Sequence, residues 1–274
     1  MRIGILYICT GKYSVFWKGF YNSMEKYFII DAKKHYFVFT DEENLIYRDR
    51  ANVSRISIKK EGWPSDTLKR FDLFCSIEDL LIDMDYLFFF NANLKCVTEI
   101  SCTEVLPNIA KGEALVAVIH PGLMKRKLKY CPYERKRKSS AYVPYNCGHV
   151  YVQGCLSGGT REAYLSMAKK LEHNIEKDKE NGIVAIFHDE SHLNRYIIGR
   201  NDIKYLSPAY CMPEDFNMPF ETKILSLEKS KYFDVNILKS VKKDNVVSLS
   251  FRRIKKLFMC NIGYIFDVIL KKSV

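Results

Sequence analysis

Short apolar runs that stop abruptly at polar or glycine residues alternate with stretches of helical period along most of the chain. Arg2 to Cys9 is apolar and β-branched, ends at Thr10-Gly11, and predicts a buried first strand. Phe16, Phe20, Met24 and Tyr27 then recur at helical spacing, which predicts an amphipathic helix over 15–29. Strands are expected over 35–40 and 53–58, and a helix over 67–82. Tyr86 to Phe90 is five bulky apolar residues in a row, suited to a central parallel strand covered on both faces, and Asn91-Ala92-Asn93 breaks it. Further strands are expected over 114–119, ended by His120-Pro121-Gly122, and over 150–154, followed by a glycine turn and a helix over 161–176. A last apolar run, 183–187, meets His188-Asp189-Glu190-Ser191.

Strand, turn and helix in repeated succession predict an α/β fold. In open sheets of that class ligands gather beyond the carboxyl ends of strands, so the three polar clusters at 91–93, 120–122 and 188–191 are candidate substrate contacts. With 274 residues, 47% of them hydrophobic, the chain suffices for one large domain with an ordinary core.

The nine cysteines are odd in number, scattered, and form no C-x-x-C pair, a pattern that predicts reduced thiols in a cytoplasm rather than a disulfide framework or zinc site. The opening apolar run is too short for a secretion signal and no small-residue cleavage site follows. The formal net charge is +11, of which residues 239–274 carry +7. No nucleic-acid reading motif accompanies this charge, so nucleic acid is not an expected partner. The tail mixes Arg252, Arg253, Lys255 and Lys256 with Leu257, Phe258, Ile262, Ile265 and Phe266. Its apolar stretch is shorter than the roughly 20 residues that span a bilayer, so it reads either as an interfacial helix for an anionic membrane surface or as a tail that packs on the domain or mediates self-association.

Read in order, IGILYICTGKY, GWP, DYLFFFNANL, HPG, YER, AYVP, LSGG, HDESHLN and LSPAY resemble glycosyltransferase family six, that of the histo-blood-group A and B transferases and the α1,3-galactosyltransferase, and especially its short bacterial members. The resemblance runs from about Arg2 to Lys231. It implies a GT-A fold, a mostly parallel central sheet with helices on both faces, for a catalytic domain over 1–238, with 239–274 as a basic amphipathic tail. The implied reaction is transfer of α-galactose, with retention, from UDP-galactose to the 3-hydroxyl of a galactose-type acceptor on a lipid-linked surface-glycan precursor. UDP-N-acetylgalactosamine is the alternative donor, and a nucleotide-sugar or glycan-binding protein without turnover is the non-enzymatic alternative. A cytoplasmic location, peripheral at the inner face of the membrane, follows from that reading.

Residue by residue, the resemblance makes Glu190 the catalytic group, facing the anomeric carbon opposite the leaving UDP, with His188 and Asp189 near the donor sugar. It implies that Tyr13 stacks on uracil beside Ile8 and Thr10. Asn91 and Asn93 stand where mammalian relatives carry a metal-binding Asp-x-Asp; neutral amides do not compensate a hard cation for its lost water, so no metal cofactor is expected. Arg70, Lys229 and Lys231 are then the candidates for neutralising the diphosphate. Gln153, Gly154 and Cys155 are implied to meet the sugar's 2-substituent, where the bulk of Cys155 favours galactose. On the acceptor side the candidates are His120, Phe187 and Glu214. Against the chemistry stand plainer readings: the asparagines as turn residues, Asp189 or Ser191 as a helix cap, and Cys155 as a small core hydrophobe.

Overall fold

In a computed structural model, residues 1–62, 64–124, 126–216 and 221–234 are described. The tail predicted over 239–274 lies outside these residues. The chain runs β1 (Arg2–Ile8), α1 (Trp17–Tyr27), β2 (Lys33–Thr40), β3 (Val53–Ser57), α2 (Ser65–Leu68), α3 (Arg70–Cys75), β4 (Tyr86–Asn91), β5 (Leu94–Cys96), α4 (Cys102–Val105) and β6 (Leu115–Ile119). It continues through β7 (Val152–Thr160), α5 (Arg161–Glu180), α6 (His188–Ile197), β8 (Ile203–Leu206), β9 (Met212–Pro213) and β10 (Ile224–Ser226).

The main sheet has the order β3-β2-β1-β4-β7-β6-β8, and β5-β10-β9 form a small second sheet. β3, β2, β1 and β4 are mutually parallel, β7 runs antiparallel to β4 and β6, and β8 is parallel to β6. The reversal of β7 matters for function, because it brings the start of that strand beside the carboxyl ends of β1, β4 and β6. β4 is covered on both faces, as its composition predicts. Phe88 and Phe90 pack with Trp17, Phe20 and Phe28 on one side, and Leu87 and Phe89 pack with Phe71, Phe74 and Tyr164 on the other. Burying each such phenylalanine contributes about 1.5–3 kcal/mol.

Several expected elements differ in extent. The helix expected over 15–29 is a 3-10 turn, Gly11–Phe16, leading into α1. The one expected over 67–82 is broken into α2, α3 and a 3-10 turn, Glu78–Leu81. Leu68, Phe71, Phe74 and Ile77 recur every three residues, the period of the tighter 3-10 winding. The glycine turn expected after 154 is instead the body of β7. Gly158 and Gly159 lie inside the strand because a side chain at Gly158 would run into the Phe88 ring across the β4 pairing. The run 183–187 forms no strand, and the small second sheet carried no expectation.

The cysteines depart from the expectation of reduced thiols throughout. Cys155 of β7 and Cys211, in the 3-10 turn Pro208–Cys211 after β8, are joined as a disulfide, whereas Cys9, Cys75, Cys96, Cys102, Cys131 and Cys147 are free. A separation of 56 residues leaves no spacing signal for such a pair; it arises because that turn packs against β7.

Candidate functional site

At the carboxyl end of β4, Asn91 lies level with Ile8, the last residue of β1. Arg70, at the start of α3, reaches across to this point. Its guanidinium donates to the side-chain oxygen of Asn91 at 3.2 Å and to the carbonyl of Gly154 at 2.7 Å. It also pairs with Asp189 at 2.5 Å and lies over the Phe89 ring, 4.0 Å from its centroid. Asp189 is buried, the Arg70 side chain is 11% exposed, and the Arg70 Nε finds no hydrogen-bond partner within the protein. Burial pushes the Asp189 carboxyl up, opposed by the Arg70 charge and by backbone N–H groups in the first turn of α6.

Glu190 follows in the same turn. One of its carboxylate oxygens accepts from the Gly154 N–H at 2.8 Å and the other from the Tyr151 hydroxyl at 2.9 Å. Burial raises the carboxyl to a pKa of about 7, and the two hydrogen bonds only partly offset that rise.

Gly154 is available to both Arg70 and Glu190 because β7 is irregular there. Pairing with β6 jumps from Val118 opposite Gln153 to Ala117 opposite Ser157, so the intervening residues bulge out of the ladder. The freed N–H turns to Glu190 and the freed carbonyl to Arg70. A Cβ at Gly154 would stand 3.1 Å from the Glu190 Cβ, so glycine is what lets strand and helix approach. α6 itself opens on strain, since His188 sits at φ +51, a left-handed conformation uncommon outside glycine.

Asn93 takes a different part from Asn91. Its side-chain amide donates to Leu227 O at 2.8 Å and Ser226 Oγ at 3.1 Å, while its backbone carbonyl accepts from Leu227 N at 2.8 Å. The segment after β10 is thereby fastened to the end of β4. Asn91, Asn93, Glu214, Phe216, Ser226 and Lys229 line a cleft of about 400 Å³. Lys229 points its ammonium over the ring of Tyr13, 5.1 Å from the centroid, and Phe233 meets the same ring edge-on at 5.4 Å. Thr10 is buried and its carbonyl accepts from Tyr13 N at 3.1 Å. Lys231 is paired with Glu214 at 3.2 Å and Asp215 at 3.4 Å, so it sits across the cleft mouth rather than at the asparagines. A larger depression of about 550 Å³, lined by Asp83, Asp85 and Arg161, lies at the opposite end of the sheet and holds none of the polar clusters.

The sequence-derived residues thus divide into a tight group of Arg70, Asn91, Gly154, Asp189 and Glu190 and a looser group around the cleft. Gln153 is buried next to this pair of groups, and the Cys155 side chain is turned toward Cys211. His120 connects to the tight group through Tyr151, whose ring is 6.0 Å away. Gly122 N–H donates to His120 Nδ1 at 3.2 Å, which leaves Nε2 to carry the proton; burial lowers this imidazole to a pKa of about 4. Phe187 N–H donates to Ser191 Oγ at 2.9 Å, so Ser191 caps the start of α6 from inside the helix. His192 faces Asp178 at 3.7 Å and is buried.

Two residues escaped the sequence reading. Tyr151 supports Glu190, and Asn194 clamps β7 to α6 by bonding both the N–H and the carbonyl of Val152, each at 2.9 Å, as well as Glu190 O. Tyr151 carries no local signal, since it reads as one apolar residue within the strand expected over 150–154. Asn194 stands four residues after Glu190 in HDESHLN, a helical spacing that places the two on one face.

A protein-family model described as Glycosyltransferase family 6 matches residues 1–239. The chain belongs to glycosyltransferase family 6. It is 35% identical over 231 residues to the O-antigen biosynthesis glycosyltransferase WbnI of Escherichia coli, covering 84% of this chain and 96% of that one. It is 30% identical over 239 residues to the globoside alpha-1,3-N-acetylgalactosaminyltransferase 1 of Gallus gallus, covering 81% of this chain and 67% of the relative. Against the histo-blood group ABO system transferase 2 of Rattus norvegicus it is 28% identical over 215 residues and spans 62% of that relative's length. The mostly parallel sheet flanked by helices is the GT-A arrangement of this family, and the chain is accordingly a glycosyltransferase taking a nucleotide-sugar donor and a glycan acceptor. Among the described residues no helix is long and apolar enough to cross a membrane.

Proposed function

We propose that this glycosyltransferase moves α-galactose from UDP-galactose to the 3-hydroxyl of a galactose-type residue on a lipid-linked surface-glycan precursor, with retention and without a metal ion. The observation that carries the reading is the half-buried Glu190 carboxylate, fixed at both oxygens beside the Arg70–Asp189 pair at the carboxyl end of β4. In this reading Asp189 and the Arg70 guanidinium hold the donor sugar, and Glu190 faces the positive charge that develops at the anomeric carbon as its bond to the diphosphate lengthens. The bond that forms joins the acceptor 3-oxygen to that carbon; the one that breaks releases UDP, whose β-phosphate oxygen takes the acceptor proton. Covalent attack by Glu190 on the same carbon is the alternative route to retention.

Metal-free handling of the diphosphate is supported by what surrounds the asparagines. Asn91 is bonded to a guanidinium and Asn93 spends its amide on Leu227, while Lys229 and Lys231 approach the same cleft from the segment that Asn93 fastens. Uracil would lie against Tyr13, where Lys229 and Phe233 now pack. His120, neutral with a proton on Nε2, suits donation to an acceptor hydroxyl, with Phe187 and Glu214 as further acceptor contacts. The name of the Gallus gallus relative favours a second reading, the same transfer with N-acetylgalactosamine.

The deciding experiment measures UDP release with a galactosyl acceptor from UDP-galactose and from UDP-N-acetylgalactosamine, with and without chelator. The reading expects galactose transfer, unaffected by chelator, lost in Glu190→Gln, and yielding the α-linked product. Activity that appears only on adding Mn²⁺ overturns metal independence; equal or better use of the N-acetyl donor overturns the donor assignment; a β-linked product overturns retention. UDP binding without turnover toward any acceptor would identify a binding protein instead.

A further inference from the structure

The net positive charge of this chain comes from two segments. From His120 to Val150 there are eight lysines and arginines against one acid, Glu134, a net +7; residues 239–274 carry another +7; the remaining 207 residues sum to −3 within the overall +11. The first of these segments is the loop between β6 and β7, and its inner face is built into the site. Cys131, Tyr133 and Val143 pack with Tyr151, the residue hydrogen-bonded to Glu190. Glu134 is buried and spent inside the fold, accepting from Lys136 N at 2.8 Å and Ile186 N at 2.7 Å. Asp178 of α5 fixes the next turn, accepting from Ser140 N at 2.6 Å.

The outer face is the reverse in character. Lys127, Lys129, Lys136, Arg137 and Lys138 are exposed, and no acid of the loop shares that surface. Two large apolar side chains of the same loop are exposed as well: Met124 is 43% exposed and Tyr145 is 68% exposed, the latter under the Arg135 guanidinium at 4.3 Å. Cations interspersed with exposed aromatic and aliphatic groups fit the boundary of an anionic bilayer, where headgroup phosphates meet the charges and the apolar tips enter the acyl margin. Duplex nucleic acid answers the charge but leaves Met124 and Tyr145 without a purpose.

We infer that the loop from Met124 to Tyr145 docks this enzyme onto an anionic phospholipid surface, with the acceptor side, at His120, turned toward the membrane. The inference rests on the proposed lipid-linked acceptor for its purpose, but the contact itself is independent of turnover. It also differs from the tail expected to lie at the membrane, because this docking face belongs to the catalytic domain.

The test uses the full chain and vesicles of phosphatidylcholine, with or without phosphatidylglycerol, in a sedimentation assay. Lys127→Gln, Lys129→Gln, Arg137→Gln and Lys138→Gln are combined in one variant, and Arg252→Gln, Arg253→Gln, Lys255→Gln and Lys256→Gln in a second. Each cation near such a surface is worth about fivefold in binding, so the loop variant is expected to bind anionic vesicles at least about tenfold more weakly. Its rate with a soluble acceptor is expected to be unchanged, which shows that the variant is folded. Wild-type binding that is absent or indifferent to phosphatidylglycerol overturns the inference, as does a loop variant that binds like wild type while only the tail variant is weakened. Tighter binding of duplex DNA than of anionic vesicles would overturn it in favour of a nucleic-acid surface. Failure of the acceptor reading would appear separately, as absence of galactose transfer with vesicle binding intact.

Discussion

Glu190→Gln removes an acid, half-buried and cut off from bulk water at its carboxyl, whose folded pKa is about 7 against an ordinary 4.5. Below pH 4.5 the carboxyl is protonated whether the chain is folded or not, and its ionisation contributes nothing. Between the two values the folded protein retains a proton that the unfolded chain has lost, so stability falls as pH rises and levels off above about 7. At roughly 1.4 kcal/mol per unit, this interval corresponds to a loss of about 3 kcal/mol. Glutamine does not titrate and fits the same cage, its oxygen accepting from Gly154 N–H and its amide donating to the Tyr151 oxygen. The variant is therefore expected to match wild type near pH 4.5 and to exceed it by about 3 kcal/mol at pH 8, while losing transferase activity. Urea unfolding of both proteins across this range gives the difference directly. A stability gap that does not change with pH would show that Glu190 is ionised at its ordinary value in the folded protein, and would refute the argument from burial.

The remaining expectations follow from the same network. Wild-type kcat/KM should rise with pH through about 7 as Glu190 loses its proton, and Tyr151→Phe, which removes a hydrogen bond favouring the anion, should move that midpoint upward in a pH–rate profile. Asp189→Asn leaves the Arg70 guanidinium buried without its counter-charge and is expected to destabilise by about 3–5 kcal/mol in denaturant titrations. Cys155→Gly should shift the ratio of kcat/KM values toward UDP-N-acetylgalactosamine by about tenfold in donor competition, and Cys211→Ser, which opens the same disulfide but keeps the Cys155 side chain, should not.

The end of β4 was legible in the sequence because five bulky residues followed by Asn-Ala-Asn leave few other structures open, whereas the shorter run before His188 forms no strand. Glu190, Asp189 and Arg70 were reached through the resemblance, whose motif order carried more than any single spacing. What the sequence concealed is long-range. The β7 bulge that exposes both backbone groups of Gly154 depends on register with β6, and no pattern within Tyr151–Cys155 announces it. Gly158 and Gly159 looked like a turn because glycine ends strands more often than it clears room for a neighbouring ring. The pairing of Lys231 with Glu214 and Asp215, 17 and 16 residues earlier, and the meeting of Cys155 with Cys211, exist only once the second sheet forms.

Asn93 bears on how such a site can change over evolutionary time. Its amide hydrogens end on a carbonyl and a hydroxyl oxygen, so an aspartate there would set a carboxylate oxygen 2.8 Å from Leu227 O and loosen the clasp on the whole C-terminal segment. A single mutation toward an acidic metal ligand would thus harm the closing segment before any ion could compensate. The amide is entrenched by its second duty, and a lineage in this state would have to rebuild the clasp before it could acquire a cation.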